Sequence, residues 1–498
     1  MSRFSLSMVD TANYDLRGVS VTVVLVIILG CFLVDWSFQA TRRRRLLLGD
    51  QRSDDSNHEG EQWIPLSFSE AFFMRDLLSP GIESTYECSC DNLQEIIEFL
   101  ECRSKEIAQH NPWLLGRIRT HGWLRWPSIW VPKLEEREFS SWFEVIHVAD
   151  IRERPDSMFI PRGEFVVNDF HQPISRLCLL VAPPKKTQRR NRKSTTTRQQ
   201  VVLALNLSHM IADGCTMYQV WKMINKDYPE IVKPLTVKRV GALADNLPKL
   251  LGVNAQRRFM WFLLRSDVGL LDRYIRVALC GQKRRLDETP RLHTCRIVRK
   301  EWIEDQKQKH SKSFKKEVPF LSSHDLLTSW FLRQFPHLSA AAIAMDMRSR
   351  GPPECPSIPQ TCLGNYMCPV ILTKEDYQTP VGVRKFVNSN ADDSQGEIGK
   401  GIRCGLTTAW HTFYEQVELQ GCQHLFHSLS KNMFPKATVS HKDYENKSIT
   451  DGQEPVPDTP VMVIFHVSSE ELAVFCATKE PLGDMEPLGE PIPNWEEG

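Results

Sequence analysis

The chain is 498 residues long, 41% hydrophobic and 25% charged, with a formal net charge of +1 at pH 7. That length holds two or three ordinary domains, or two halves sharing an interface, and the composition is that of a globular body. So balanced a charge excludes a global electrostatic field for nucleic acid or acidic substrates. The 14 cysteines lie scattered without a Cys-x-x-Cys pair and read as mostly free, buried thiols of a reducing compartment. Cys88 and Cys90 are the closest pair, and strand alternation would put both on one face.

Gly18 to Val34 is apolar apart from Ser20 and Thr22; its 17 residues are at the short end for a membrane-spanning helix, with Trp36 and Phe38 as interfacial anchors. A cleaved signal peptide is the rival reading. Against it, Asp10 and Asp15 offset Arg3 and Arg17, and Phe38 stands where a cleavage site at Ala40 needs a small residue. The expectation is a single-pass anchor over residues 18–38, preceded by a short non-cytoplasmic N-terminus, residues 1–17. Arg42-Arg43-Arg44-Arg45 follows, and the positive-inside rule then places the body in the cytoplasm. A short span suits a thin membrane such as that of the endoplasmic reticulum. Residues 41–62, charged and without apolar periodicity, read as a flexible tether.

The globular body begins near Trp63, where Ile64, Leu66 and Phe68 suggest a strand. Leu93, Ile96, Ile97, Leu100 and Ile107 form one helical stripe, with Asp91 and Gln94 as an N-cap box. The helix runs into a Pro-led turn, Asn111 to Arg117. Trp123 to Trp130 and Phe143 to His147 are short aromatic and β-branched runs, and Ile174 to Ala182 reads as a strand paired with Val201 to Leu207. Between them Lys185 to Arg198 holds seven Lys or Arg, a solvated excursion or else a patch for anionic lipid. No aromatic residue interleaves there to suit nucleic acid.

Val201 to Leu205 leads into Asn206-Leu207-Ser208-His209-Met210-Ile211-Ala212-Asp213-Gly214, and Met217, Val220, Trp221 and Ile224 then recur at a helix period. His209 therefore sits where a strand runs out into a loop, with Asp213 four residues on and Gly214 allowing a tight turn. Spacing alone is equally consistent with two polar groups that satisfy the backbone. Helical patterns continue over 217–227 and about 255–280, and 281–290 reads as a crossover into a strand at Thr294 to Val298. Val318 to Trp330 reads as a loop and helix with Ser322 or Ser323 as N-cap and His324 as a surface or cap histidine. A strand over 341–350 would put Asp346, Arg348 and Arg350 on one face, costly to bury unless paired; the alternative is an exposed edge. Val461 to Val467 and Leu472 to Thr478 read as a hairpin around Ser468 to Glu471.

Ser208 to Gly214 resembles the His-x-x-x-Asp-Gly signature of CoA-dependent acyltransferases. That group includes BAHD acyltransferases, chloramphenicol acetyltransferase and condensation domains. The Pro-led turn ending in Gly116-Arg117 resembles the first lobe of BAHD enzymes. Asp346-Met347-Arg348-Ser349-Arg350-Gly351-Pro352-Pro353, followed by Gly364-Asn365, is similar to a second BAHD segment. The resemblance covers roughly 63–478. It lacks the Asp-Phe-Gly-Trp-Gly motif of BAHD enzymes and the doubled His of wax-ester synthases, which leaves the subfamily and the acceptor open.

The resemblance implies an α+β fold of two chloramphenicol acetyltransferase-like lobes, each a mixed β-sheet with helices, over 63–280 and 291–498, with the active site at their interface. It implies His209 as general base, Asp213 and Gly214 holding its loop, and an arginine, Arg348 or Arg350, paired with Asp213 beside Asp346. Acyl-CoA would be co-substrate, with no bound cofactor or metal. The acceptor would be a hydroxyl- or amine-bearing small molecule or lipid, and the protein a monomer. Two alternatives remain: a condensation-type enzyme using carrier-bound acyl thioesters, and a non-catalytic two-lobed binding protein. There is no Gly-x-Ser-x-Gly elbow, phosphate-binding glycine loop or His-Glu-x-x-His pair to support hydrolase, nucleotide or zinc chemistry.

Overall fold

Strands that feed a different apolar core from each face set this architecture. The computed structural model describes residues 61–66, 70, 81–121, 126–160, 171–184, 198–228, 232–237, 258, 292–313, 318–350, 357–388, 403–430, 459–493 and 495. The expected anchor at 18–38, nearly all of the tether, the basic run after Pro184, the helices near 255–280 apart from residue 258, and the crossover at 281–290 lie outside these residues. Among the described residues, no helix is long and apolar enough to cross a membrane.

In chain order the first half holds β1 (Gln62–Pro65), β2 (Gly81–Ser89), α1 (Leu93–His110), β3 (Arg117–His121), β4 (Trp126–Val131), β5 (Phe143–His147), β6 (Ser175–Val181), β7 (Arg198–Leu207) and α2 (Gly214–Lys222). The second half holds β8 (Leu292–Val298), α3 (Lys300–Ser313), α4 (Ser323–Arg333), β9 (Ala340–Asp346), β10 (Met367–Thr373), α5 (Lys374–Tyr377) and α6 (Pro380–Asn388). After these come β11 (Cys404–Ala409), β12 (Cys422–Leu429), β13 (Val461–His466), β14 (Leu472–Thr478) and β15 (Leu488–Pro491).

The strands form a 3-stranded sheet, β1-β4-β3, a 5-stranded sheet, β12-β2-β7-β6-β5, and a 7-stranded sheet, β10-β9-β11-β13-β14-β8-β15. The expected pairing of β6 with β7 is present and antiparallel, as is the β13–β14 hairpin. One strand crosses over: β12, from the second half, pairs antiparallel with β2 of the first.

β7 is apolar on consecutive positions because it is covered on both faces. Val201, Leu203, Leu205 and Leu207 enter the largest core, while Val202 and Ala204 enter a smaller one on the opposite face. β13 does the same in the 7-stranded sheet: Val463 and Phe465 join the core that β7 feeds, and Met462 and Ile464 join the core around α4 and α6. The two sheets thus share one core, and Glu61–Gly498 cohere as one compact unit.

Two local expectations change. β2 stops at Ser89, so Cys90 begins a short 3-10 turn and does not share a strand face with Cys88. That turn is capped by Ser89, whose hydroxyl accepts from Asp91 N–H, and Asn92 rather than Asp91 precedes α1. The expected strand over 341–350 ends at Asp346, and Ser349 has φ 56°, which breaks the alternation.

Candidate active site

The site is assembled where β7 ends. Ser208 N–H donates to Ile174 O at 2.8 Å and Ile211 N–H to Ser208 O at 3.0 Å, which fold residues 208–211 into a tight turn. Met210, Ile211 and Ala212 are buried and anchor the turn in the core. His209 is 7% exposed, and its Nδ1 bonds Ala212 O at 2.9 Å. A carbonyl can only accept, so Nδ1 carries the proton and the basic lone pair belongs to Nε2.

Asp213 has extended backbone geometry and caps α2, its Oδ1 accepting from Thr216 N–H at 2.9 Å. Its carboxylate also takes a bidentate pair from Arg348, Nη1 to Oδ2 at 2.8 Å and Nη2 to Oδ1 at 3.1 Å, and Tyr366 N–H adds 2.9 Å to Oδ2. The open choice between Arg348 and Arg350 is therefore settled by geometry. Arg350 lies exposed beyond the end of β9, its Nη1 3.6 Å from Met345 Sδ, because the strand that would have aligned the three charges stops at Asp346.

Arg348 is saturated. Beyond Asp213 it donates to Asp346 Oδ1 at 2.9 Å, Thr216 Oγ1 at 2.9 Å, Cys362 O at 3.1 Å and Gly364 O at 2.8 Å. The Tyr366 ring lies 5.0 Å from its guanidinium carbon. Burial works against the charge and is the largest single influence, but Asp213, Cys215 and Asp346 together outweigh it and hold the guanidinium pKa above its ordinary value. Asp346 is pushed toward its neutral form: burial raises its pKa, and Asp213 adds to that against the pull of Arg348. Two carboxylates thus share one cation, and Asp346 is the more solvated of the pair at 17% against 4%.

Gly364-Asn365 completes the cradle. Asn365 Nδ2 donates to the backbone carbonyl of His209, and Asn365 N–H reaches Glu70 Oε1 at 3.3 Å. The second-half loop therefore grips both ends of the His209–Asp213 segment.

Gly214 plays a different part from the one expected. It is the first residue of α2 and needs no unusual backbone angle; a Cβ there would lie 2.8 Å from Trp410 Nε1. Glycine is required because the Trp410 indole, which follows β11, lies against the helix start.

A layer of rings continues from Trp410. Tyr218 packs edge-on to Trp410 and Tyr414, and its hydroxyl bonds His427 Nε2 at 2.8 Å, while His427 Nδ1 bonds Ser84 Oγ at 2.8 Å. His427 is neutral because burial pushes its pKa down to about 3. His324, expected as a surface or cap histidine, is half-buried in the first turn of α4; its Nε2 is shielded and unbonded, and desolvation, aided by Arg384, pushes it down to about 4. The cap of α4 is Ser322, in a reciprocal box with Asp325. His411 is likewise lowered to about 4, by burial first and then by His324 and His466.

Sequence reasoning brought His209, Asp213, Asp346 and Arg348 to one place. It missed Thr216 and Trp410, and it noted Asn365 without a role. An Asp-x-x-Thr pattern at a helix start was a usable signal for Thr216; nothing local marked Trp410. Among the described residues no group of three or more His, Cys, Asp or Glu could hold a metal ion.

No protein-family model matches the chain, and no curated protein does. Solved structures do. TRI101 of F. sporotrichioides, complexed with coenzyme A and T-2, is similar at 14% identity over 83% of this chain and 94% of that one, with a TM-score of 0.50. Vinorine synthase is similar at 11% identity over 88% of this chain and 96% of that one, also with a TM-score of 0.50. Identities this low bear on fold and not on chemistry. The chain shares the fold of these two structures.

Proposed function

We propose that this protein moves an acyl group from acyl-CoA to a hydroxyl or amine acceptor, with His209 as general base. The observation that carries the reading is the imidazole held by Ala212 O on a loop that Asp213 and Arg348 lock in place. Nε2 takes the proton from the acceptor as its oxygen or nitrogen attacks the thioester carbonyl. The C–S bond then breaks, and the imidazolium returns the proton to the departing thiolate, so no acyl-enzyme forms. A positioned base typically supplies about 10² to 10⁴ in rate. Asp213, fully engaged by Arg348, Thr216 and Tyr366, positions the loop and touches no substrate.

The likeness to a structure solved with coenzyme A supports the donor, and the T-2 in it supports a small-molecule acceptor, with a membrane lipid as the other candidate. We place the body on the cytoplasmic side of a membrane through residues 18–38, on the strength of the apolar run and of Arg42 to Arg45.

The test is an untargeted search for acylated products with the full chain in detergent and mixed acyl-CoAs, following free thiol release. Wild type should release CoA and yield product, and His209→Ala should lose at least about 100-fold in kcat with an unchanged melting midpoint. Near wild-type turnover by His209→Ala would remove the assigned base. Turnover of carrier-bound thioesters alone would favour the condensation reading, and none at all a binding protein. Protease added to sealed microsomes should digest the body; a protected body would overturn the orientation.

A further inference from the structure

The outer edge of the 5-stranded sheet is closed by chain from the far end of the protein, since β12 pairs with β2. The first residue of β12, Cys422, stands directly opposite Cys88. Facing residues of an antiparallel pair have Cα atoms about 4.5–5.5 Å apart, within the roughly 4.4–6.8 Å that a disulfide spans. The Cys88 thiol donates to Gln199 O at 3.6 Å. Cys88 is buried and Cys422 half-buried, so the pair lies just beneath the surface. Gly421, at φ 69°, turns the chain directly into Cys422 and fixes where the strand begins.

Cys88 also differs chemically from the buried thiols elsewhere. Burial raises Cys178, Cys215, Cys368, Cys404 and Cys476, which suppresses their thiolates. Cys88 is lowered, chiefly by the Cys422 thiol that faces it, which is raised in turn.

We propose that Cys88 and Cys422 are an oxidation site at which a hydroperoxide forms a reversible disulfide joining β12 to β2. The Cys88 thiolate attacks a peroxide oxygen; the O–O bond breaks, leaving a sulfenic acid and, after protonation, water. The Cys422 sulfur then attacks the sulfenic sulfur, the S–S bond forms, and the hydroxyl leaves as a second water. The two thiols give up two electrons and two protons, hydrogen peroxide accepts them, and a dithiol reductant reverses the change. Closing so long a loop restricts the unfolded chain and raises the unfolding midpoint.

The experiment treats the full reduced chain with hydrogen peroxide. Intact mass should fall by about 2 Da, the two hydrogens lost. A non-reducing peptide map should link Cys88 to Cys422, and the urea midpoint should rise and return after dithiothreitol. Cys422→Ser should abolish the link and leave a dimedone-reactive sulfenic acid at Cys88, while Cys90→Ser should leave the link intact. A map joining Cys90 to either residue would overturn the proposal. So would survival of both thiols at a peroxide dose that already oxidises exposed Cys102.

Discussion

Asp213→Asn is the most searching perturbation of the site. Asp213 accepts four hydrogen bonds, from Thr216 N–H, Tyr366 N–H and both terminal nitrogens of Arg348. An asparagine keeps one oxygen, but whichever way it turns its amide must point N–H at one Arg348 nitrogen and at either Thr216 or Tyr366 N–H. Arg348, 0% exposed at its side chain, then retains only Asp346 as a counter-charge. Stranding one partner of a buried pair typically costs about 3–5 kcal/mol. Asparagine caps a helix about as well as aspartate, so no cap loss is added, and Asp346 keeps the loss toward the lower half of that range, about 3–4 kcal/mol. At about 2 cal/mol/K per residue, a body of about 440 residues unfolds with an entropy near 0.9 kcal/mol/K, so the midpoint should drop by about 4 °C. Differential scanning fluorimetry reads this directly. Arg348→Met added to Asp213→Asn should cost less than the sum of the two single changes, because the stranded charge is gone. A midpoint within about 1 °C of wild type, or strictly additive losses, would refute the buried pair.

Gly214→Ala drives a methyl into Trp410 and should cost about 1–3 kcal/mol, with Trp410→Leu recovering part of it in a double-mutant melt. Asp346→Asn keeps an acceptor for Arg348 while removing the second carboxylate; since burial and Asp213 raise the Asp346 pKa, urea midpoints at pH 7 should be unchanged or higher, and a large loss would be the contrary result. His324 and His411 are held near pKa 4 against an ordinary 6.5, so both are neutral when folded, and unfolding makes each a better proton acceptor. The stability they contribute is full above pH 6.5 and is lost as pH falls toward 4, on the order of 1–2 kcal/mol each after allowing for partial solvent access. His411→Phe should flatten that acid limb in melts taken across this window, and an unaltered limb would exclude His411 as a contributor.

Local pattern carried much of the fold. The paired strands β6 and β7, the exit of β7 into the His209 loop, the Ser322 cap and the β13–β14 hairpin each have a periodic or capping signature within about ten residues. The pairing of Asp213 with an arginine came from resemblance, and which arginine it is was illegible. Alternation would have made Arg348 and Arg350 equivalent, but the strand breaks at Asp346 and Ser349 adopts a left-handed angle. Gly214 looked like a turn residue because its true constraint, the Trp410 indole, lies almost 200 residues away. The shielding of the His324 Nε2 escaped notice for the same reason: Arg384, and the neighbouring His411, are set beside it only by folding.

The placement of β12 also governs the order in which this protein can be completed during synthesis. The strands β2, β7, β6 and β5 and the His209 loop all leave the ribosome before residue 422 has been made. Through that interval β2 presents an open edge, and Ser84 and Tyr218 lack the imidazole that joins them. An open edge is a template for pairing with another chain. A polypeptide that stops short of residue 422 should therefore aggregate through its first half, and a deletion near the C-terminal end that removes β12 damages first the sheet that carries His209.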